Sequence, residues 1–209
     1  MSVQFHGTSL NISKNIGILG VDISSDVQFR GHLEDKVKLA SKKLGVLNRA
    51  NHCFTPDQRL MLYKSQIRPQ MEYCCHLWAG AHKYQLESFD SLERRAMRVV
   101  DDPRLTSGIE PLSLRRDFAS LCVFYCLYNG LCSEELFNIT ATVYHRTGRH
   151  RQVVHPHVLQ PQWSRTAQFQ RCFLSRTFRL WNELPAQVFP RDYSMGFFKR
   201  GVKRFLQGR

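Results

Sequence analysis

Acidic residues are scarce in the last third of this 209-residue sequence. Residues 144–209 contain 13 lysines and arginines but only two acidic residues, Glu183 and Asp192, which gives a balance of +11. Residues 1–143 are nearly neutral, with 17 basic and 15 acidic residues. Such asymmetry indicates a polyanionic partner for the basic part, most often a nucleic acid and less often an acidic membrane surface. The alternative is a solvated basic surface that binds nothing in particular.

Long apolar runs and a secretory leader pattern are also missing. The longest apolar runs, such as residues 121–128, are far shorter than the ~20 residues that cross a bilayer, so we predict no transmembrane segment and no membrane partner. The seven cysteines are odd in number and scattered. Together these features favour a reducing intracellular compartment, the cytoplasm or the nucleus, and disulfides are not expected.

Recognisable catalytic motifs are absent. The sequence has no glycine-rich phosphate loop, no G-x-S-x-G and no H-E-x-x-H. Asp101 and Asp102 resemble the paired aspartates that hold magnesium in polymerases, but those lie on a strand turn, whereas this pair ends a predicted helix before Pro103. We therefore predict no catalytic residues, no metal and no cofactor.

Cysteine and histidine cluster in the stretch EYCCHLWAG, residues 72–80. Helical spacing places Cys74 on one apolar stripe with Met71 and Trp78, which predicts a small buried side chain there, with Cys75 to the side. Cys122 and Cys126 share a helix face and are again predicted to be structural. A zinc site formed with the histidines after residue 144 is the alternative, although their spacing matches no zinc motif.

Apolar periodicity predicts four main helices besides the one that carries Cys122 and Cys126, which Gly130 is expected to terminate. The first starts near residue 32, the second is capped by Thr55 and is kinked or divided at Pro69, the third covers about 84–100, and the last follows Ser194. The residues predicted to face inward are, on the first helix, Leu33, Val37, Ala40, Leu44 and Leu47; on the second, Leu60, Tyr63, Ile67, Met71, Cys74 and Trp78; on the third, Leu86, Phe89, Leu92, Ala96 and Val99; and on the last, Phe197, Phe198, Val202, Phe205 and Leu206.

Strand periodicity is clearest near the start, while residues 140–172 are predicted to form a loop followed by short strands. Val3 and Phe5 alternate in one segment and Leu19, Val21 and Ile23 in the next, with residues 13–15 as the turn of a β-hairpin. The predicted fold is mainly α with a short N-terminal β-hairpin and a basic C-terminal α+β segment. Its expected parts are a hairpin over 1–31, a helical domain over 32–138 and the basic segment over 139–209.

Three groups of cations are the candidate nucleic-acid contacts. Each group is either on the polar face of a predicted helix or in the basic stretch after residue 144. They are Arg94, Arg95 and Arg98; Arg146, Arg149 and Arg151; and Lys199, Arg200, Lys203 and Arg204.

Several motifs occur together in a characteristic order. They are Tyr63 followed by RPQMEY (68–73), Leu77-Trp78, LERRAMRVV (92–100), LSLRRDFASL (112–121), FLSRTFRLWNELP (173–185) and FFKRGVKRFL (197–206). Over nearly its whole length, the chain resembles the C-terminal part of reverse transcriptases of non-LTR retrotransposons of the jockey-like kind. LWNELP combined with the earlier RPxxEY stretch is the most specific part of the resemblance.

The resemblance implies a place within a larger enzyme. Ile18-Leu19-Gly20 looks like the motif on the hairpin that follows the catalytic palm, and the helices from 32 to about 138 are similar to the thumb, which holds template and primer. The catalytic aspartates, the fingers and the endonuclease of the family would lie upstream. The expected function is a noncatalytic C-terminal fragment of an RNA-directed DNA polymerase that contacts RNA and DNA and packs on the upstream palm and fingers. A stand-alone helical protein-interaction or nucleic-acid-binding module derived from such an element, and a zinc-dependent enzyme, are the alternatives.

Overall fold

A computed structural model describes residues 3–5, 8–10, 13–132, 134, 155–159 and 165–209. The described part is mainly helical, with short antiparallel strands near the N-terminus, as predicted. The strands are β1 (Val3–Phe5), β2 (Thr8–Leu10), β3 (Asn15–Ile18) and β4 (Val21–Ser24). The α-helices are α1 (Arg30–Arg49), α2 (Pro56–Leu62), α3 (Arg68–Glu72), α4 (Cys75–Trp78), α5 (Lys83–Val100), α6 (Pro103–Thr106), α7 (Leu112–Tyr128), α8 (Ala167–Arg171), α9 (Phe173–Asn182) and α10 (Met195–Gln207).

The N-terminal strands form two separate antiparallel hairpins, β1 with β2 and β3 with β4. The predicted turn at 13–15 is therefore wrong, because the chain reverses within each of the two segments. Leu19 lies in the second turn with a φ of 48° and is 87% exposed, so it is not an inward strand residue. Val21 on β4 is buried as predicted.

The long helical region after Thr55 is divided twice. The predicted capping box of Thr55 and Gln58 is present, with Pro56 at the start of α2. A π-helical turn, Tyr63–Ile67, then precedes Pro69, which cannot donate a backbone hydrogen bond, so the regular α-helix is interrupted there as predicted.

The second break lies at Cys74, which adopts a left-handed backbone with a φ of 50°. Because the helix ends there, the inward position passes to Cys75, which is 3% exposed, while Cys74 is half-buried. The prediction that Cys74 belongs to the core stripe is therefore wrong. Burial raises the pKa of the Cys75 thiol to about 11, so this thiol stays protonated and unreactive near neutral pH.

The first hydrophobic core is built by α1 to α5 and the start of α7. The predicted inward residues of α1 and α5 are buried or partly buried, with Val100 added on α5. Trp78 and Phe89 stack with ring centroids 5.2 Å apart and both are nearly inaccessible. This pair packs α4 against α5, which explains why the short helix α4 keeps its position.

The second core surrounds Trp181 and is built by α7, α9 and α10 with Leu159 and Val188. Helix α7 belongs to both cores, because Leu112 at its start packs in the first, and Leu121 and Phe124 pack in the second. Gly130 follows α7 with a φ of 71°, as expected for a helix terminator. The proposed boundary at 138 and 139 lies outside the described residues, so the domain division stays a prediction.

None of the described helices is long and apolar enough to cross a membrane. All seven cysteines lie in the described part of the chain, where each is a free thiol.

Candidate nucleic-acid interface

Helix α10 presents a row of cations on its outer face. The Ser194 hydroxyl caps the helix by accepting a hydrogen bond from the backbone N–H of Phe197. Phe198, Val202 and Leu206 are buried and anchor the helix to the second core. Lys199, Arg200, Lys203 and Arg204 are all exposed. The helix therefore combines an apolar attachment with an accessible positive face, as the sequence predicts.

Two phenylalanines of α10 differ from the prediction. Phe197 is 43% exposed, and Phe205 is only half-buried. The buried positions recur every four residues at 198, 202 and 206, and position 197 is about 100° away from that line around the helix. On the packed side, a Cβ added at Gly201 would lie 3.1 Å from the Val188 Cα, so glycine permits the close contact there.

Lys203 differs from its neighbours because it already has an acidic partner. Its Nζ lies 2.9 Å from a carboxylate oxygen of Glu110, which also accepts a hydrogen bond from the Gln207 amide. Within the described residues, Lys199, Arg200 and Arg204 form no ion pair. These three cations are therefore the part of the face with the most available charge.

The three arginines of α5 are exposed but point into different surroundings. Arg94 lines a cavity of about 500 Å³ that also contains Glu87, Asp90 and the buried Arg116, whose guanidinium binds Asp90 at 3.0 Å. Arg95 and Arg98 instead line a groove between α1 and α5. The structure thus brings Arg95 and Arg98 together and separates Arg94 from them.

The remaining predicted contacts, Arg146, Arg149 and Arg151, lie outside the described residues. The two described groups belong to different cores, since α5 packs in the first and α10 in the second.

The paired aspartates, Asp101 and Asp102, lie where one helix ends and the next begins. Asp101 ends α5 in a left-handed conformation with a φ of 56°, and the Asp102 carboxylate caps α6 by accepting a hydrogen bond of 2.8 Å from the Arg104 backbone N–H. Neither lies on a strand turn. Among the residues that the structure describes, no group of three histidine, cysteine or acidic side chains could hold a metal ion.

The LWNELP stretch builds the second core. Trp181 is fully buried, and its indole N–H donates to the His157 carbonyl at 2.8 Å. The side-chain amide of Asn182 pairs with both backbone groups of Leu159, each at 2.8 Å. Leu184 completes the core. The most specific motif of the sequence is therefore structural, a role that sequence reasoning predicted for neither Trp181 nor Asn182.

The RPQMEY stretch links helices through charge and ties the second hairpin to α3. Glu72 binds the guanidinium of Arg115 on α7 and lies near that of Arg68. The Tyr73 hydroxyl donates a hydrogen bond of 2.6 Å to the carbonyl of Leu19 in the turn between β3 and β4. Two motifs that are 54 residues apart in sequence thus meet in the fold.

Arg176 connects α9 to α7 and α4, a function that sequence reasoning missed. Its guanidinium donates to the Asp117 carboxylate at 3.1 Å, to the Ser120 hydroxyl at 2.6 Å and to the His76 carbonyl at 3.4 Å. Burial lowers the pKa of Arg176 and raises the pKa of Asp117. No local pattern reveals this pairing, because its partners are distant in sequence.

His155 is a buried, neutral histidine in the second core. Its Nδ1 accepts a hydrogen bond from the His157 backbone N–H at 3.1 Å, so Nε2 carries the proton that faces the Trp181 carbonyl, also at 3.1 Å. A proton added at Nδ1 would break the first hydrogen bond and place a charge in a site that is 2% exposed. Burial accordingly lowers the pKa of His155.

We expect the free energy of unfolding to fall as the pH drops below the ordinary histidine pKa of about 6.5. The unfolded chain binds the proton more readily than the folded chain, so the stability present above that pH is lost below it, by at most about 1.4 kcal/mol per pH unit for one histidine. Urea unfolding above and below this pH should show a smaller pH effect for His155→Gln than for the wild type. Equal pH effects in both proteins would contradict this assignment.

Comparison of this chain with protein-family models, with curated proteins and with solved structures finds no match. The resemblance to non-LTR reverse transcriptases therefore depends on the sequence motifs alone.

Proposed function

We propose that this chain is the noncatalytic C-terminal part of the RNA-directed DNA polymerase of a non-LTR retrotransposon and that it contacts the template and primer. In this proposal α1 to α7 correspond to the thumb, the hairpin β3–β4 lies at the edge of an upstream palm, and the protein works in the cytoplasm or nucleus. The main support for the nucleic-acid function is the exposed cationic face of α10. On this face Lys199, Arg200 and Arg204 have no acidic partner within the described residues.

The physical basis is neutralisation of phosphates. A lysine or arginine that contacts a nucleic-acid phosphate releases condensed counterions, so affinity falls as salt rises. Four cations on two successive turns of one helix can follow a sugar–phosphate backbone without reading base edges, so binding should depend little on sequence. The apolar anchor of α10 keeps these charges on a rigid element.

Replacing Lys199, Arg200, Lys203 and Arg204 together by glutamine should weaken binding to an RNA/DNA hybrid. The log–log dependence of affinity on salt should become shallower by about 0.9 for every phosphate that the helix no longer neutralises, hence by about 3 if each unpaired cation binds one phosphate. Fluorescence anisotropy with a labelled hybrid at about 50 mM and about 200 mM salt measures both effects.

The matched control replaces four exposed cations on other elements, Lys14, Lys64, Arg104 and Arg191, by glutamine. It removes the same formal charge from the protein but leaves α10 intact. If both variants bind the hybrid with equal affinity and equal salt dependence, α10 is not the nucleic-acid-binding surface. If the wild type binds no hybrid at all, the nucleic-acid function is wrong. The protein-interaction alternative is then favoured, since the β3–β4 hairpin exposes Ile16, Ile18 and Leu19.

A further inference from the structure

A groove of about 310 Å³ runs between α1 and α5, on the outside of the first core. It is lined by Leu44, Gly45, Asn48, Arg95, Arg98 and Val99. Val99 is half-buried and supplies apolar surface, Leu44 lies beneath it in the first core, and the two arginines supply positive charge. Among the residues that the structure describes, none of those lining it is acidic, in contrast to the cavity beside Arg94, where Glu87 and Asp90 offset the cations.

A third arginine, Arg49, follows Gly45 by one turn of α1 and lies beside this lining residue. The Arg49 Nη1 atom lies 3.8 Å from the position that a Cβ of Gly45 would occupy. Within the described part of the chain, Arg49, Arg95 and Arg98 form no ion pair, and all three are exposed. Three guanidinium groups without acidic partners thus surround one short stretch of α1.

Gly45 lies in the interior of a 20-residue helix, where glycine is less favourable than alanine because its backbone loses more conformational freedom on folding. Core packing does not require the glycine, because an added Cβ would contact only the flexible end of Arg49. Its backbone does not have a positive φ either. The effect of the missing side chain is instead to keep the groove open between the arginines.

We propose that the groove between α1 and α5 binds a phosphate group of a nucleic-acid backbone. Arg49, Arg95 and Arg98 bind the phosphate oxygens, since guanidinium groups match phosphate geometry with paired hydrogen bonds. Asn48, which is exposed and lines the groove, supplies an amide that can donate a further hydrogen bond, and the half-buried Val99 offers an apolar contact for the sugar. The choice of a nucleic acid as the source of the phosphate rests on the proposed function, whereas the anion site itself rests on the groove.

Two variants test the groove by independent means. Arg95→Gln with Arg98→Gln removes two charges, and Gly45→Gln fills the groove at constant charge with a residue that favours the helix. We expect each variant to weaken binding to a labelled RNA/DNA hybrid by about tenfold or more, and the arginine variant to reduce the salt slope by about 1.8. The control is Lys14→Gln with Arg191→Gln, which removes two charges outside the groove. Circular dichroism checks that every variant remains folded.

Inorganic phosphate serves as a second probe that separates this inference from the proposed function. If the wild type binds the hybrid and the groove variants bind it as the control does, the inference that the groove binds a nucleic-acid phosphate is overturned, while the proposed function stands. A second outcome is that the wild type binds no hybrid while inorganic phosphate raises the melting temperature of the wild type but not of the groove variants. In that case the groove binds free phosphate, so the anion site stands and the proposed function is wrong. If neither probe distinguishes the groove variants from the wild type, the inference is overturned.

Discussion

Trp181→Ala is expected to lower the free energy of unfolding by about 3–5 kcal/mol. The indole is fully buried, and its ring contacts Phe124, Tyr128 and Phe189 with centroids about 5 Å away. Truncation removes this aromatic packing, leaves a cavity and deprives the His157 carbonyl of its donor. Urea unfolding followed by circular dichroism measures the loss.

Trp181→Phe is the matched control, because it retains an aromatic ring and loses the indole N–H. It should cost less than the alanine variant. Since α7 contributes to both cores, we also expect the alanine variant to unfold in a single transition in which circular dichroism and the fluorescence of the remaining tryptophans change together. A variant as stable as the wild type, or a first core that persists through a separate transition, would contradict this account of the fold.

Arg176→Met is expected to cost about 3 kcal/mol, because it leaves the Asp117 carboxylate without its cationic partner and removes a donor from the Ser120 hydroxyl. This cost is at the lower end of the range expected for breaking a buried ion pair, because the Asp117 side chain is 33% exposed. The same chemical-denaturation measurement gives the loss relative to the wild type.

The double variant Arg176→Met with Asp117→Leu separates the effect of charge imbalance from the effect of reduced packing. Replacing both partners by apolar groups is often close to neutral, so most of the stability should return. The single variant should also lose less at mildly acidic pH. Arg176 lowers the Asp117 pKa in the wild type, so its removal raises that pKa further, and the folded variant then gains more stability from protonation than the folded wild type does. A double variant as unstable as the single variant would show that the ion pair is not the source of the loss.

The helices of the first core could be predicted because their determinants are local. Thr55, Pro56 and Gln58 cap α2 in the structure as their spacing predicts, and the apolar stripes of α1 and α5 face the core. The same local logic failed at Cys74, where the spacings 71–74–78 and 71–75–78 are equally helical. The left-handed backbone at position 74 selects the second spacing.

The candidate interface was predictable only in part. The cations of α10 could be found because a capped amphipathic helix determines which residues face outward. The neutralisation of Lys203 by Glu110, and the divergence of Arg94 from Arg95 and Arg98, could not, because they depend on which helices become neighbours.

The sequence by itself determined the mainly helical character, the starts of α1, α2, α5 and α10 to within about two residues, and the concentration of positive charge in the last third, since propensity, capping and composition act over a few residues. Only the tertiary structure decided that Trp181 and Asn182 organise the second core, that Arg176 joins α9 to α7, and that α1 and α5 enclose an arginine-lined groove. These features arise from contacts between residues far apart in the chain, and such contacts are selected by burial and charge pairing when the helices pack rather than by any local pattern.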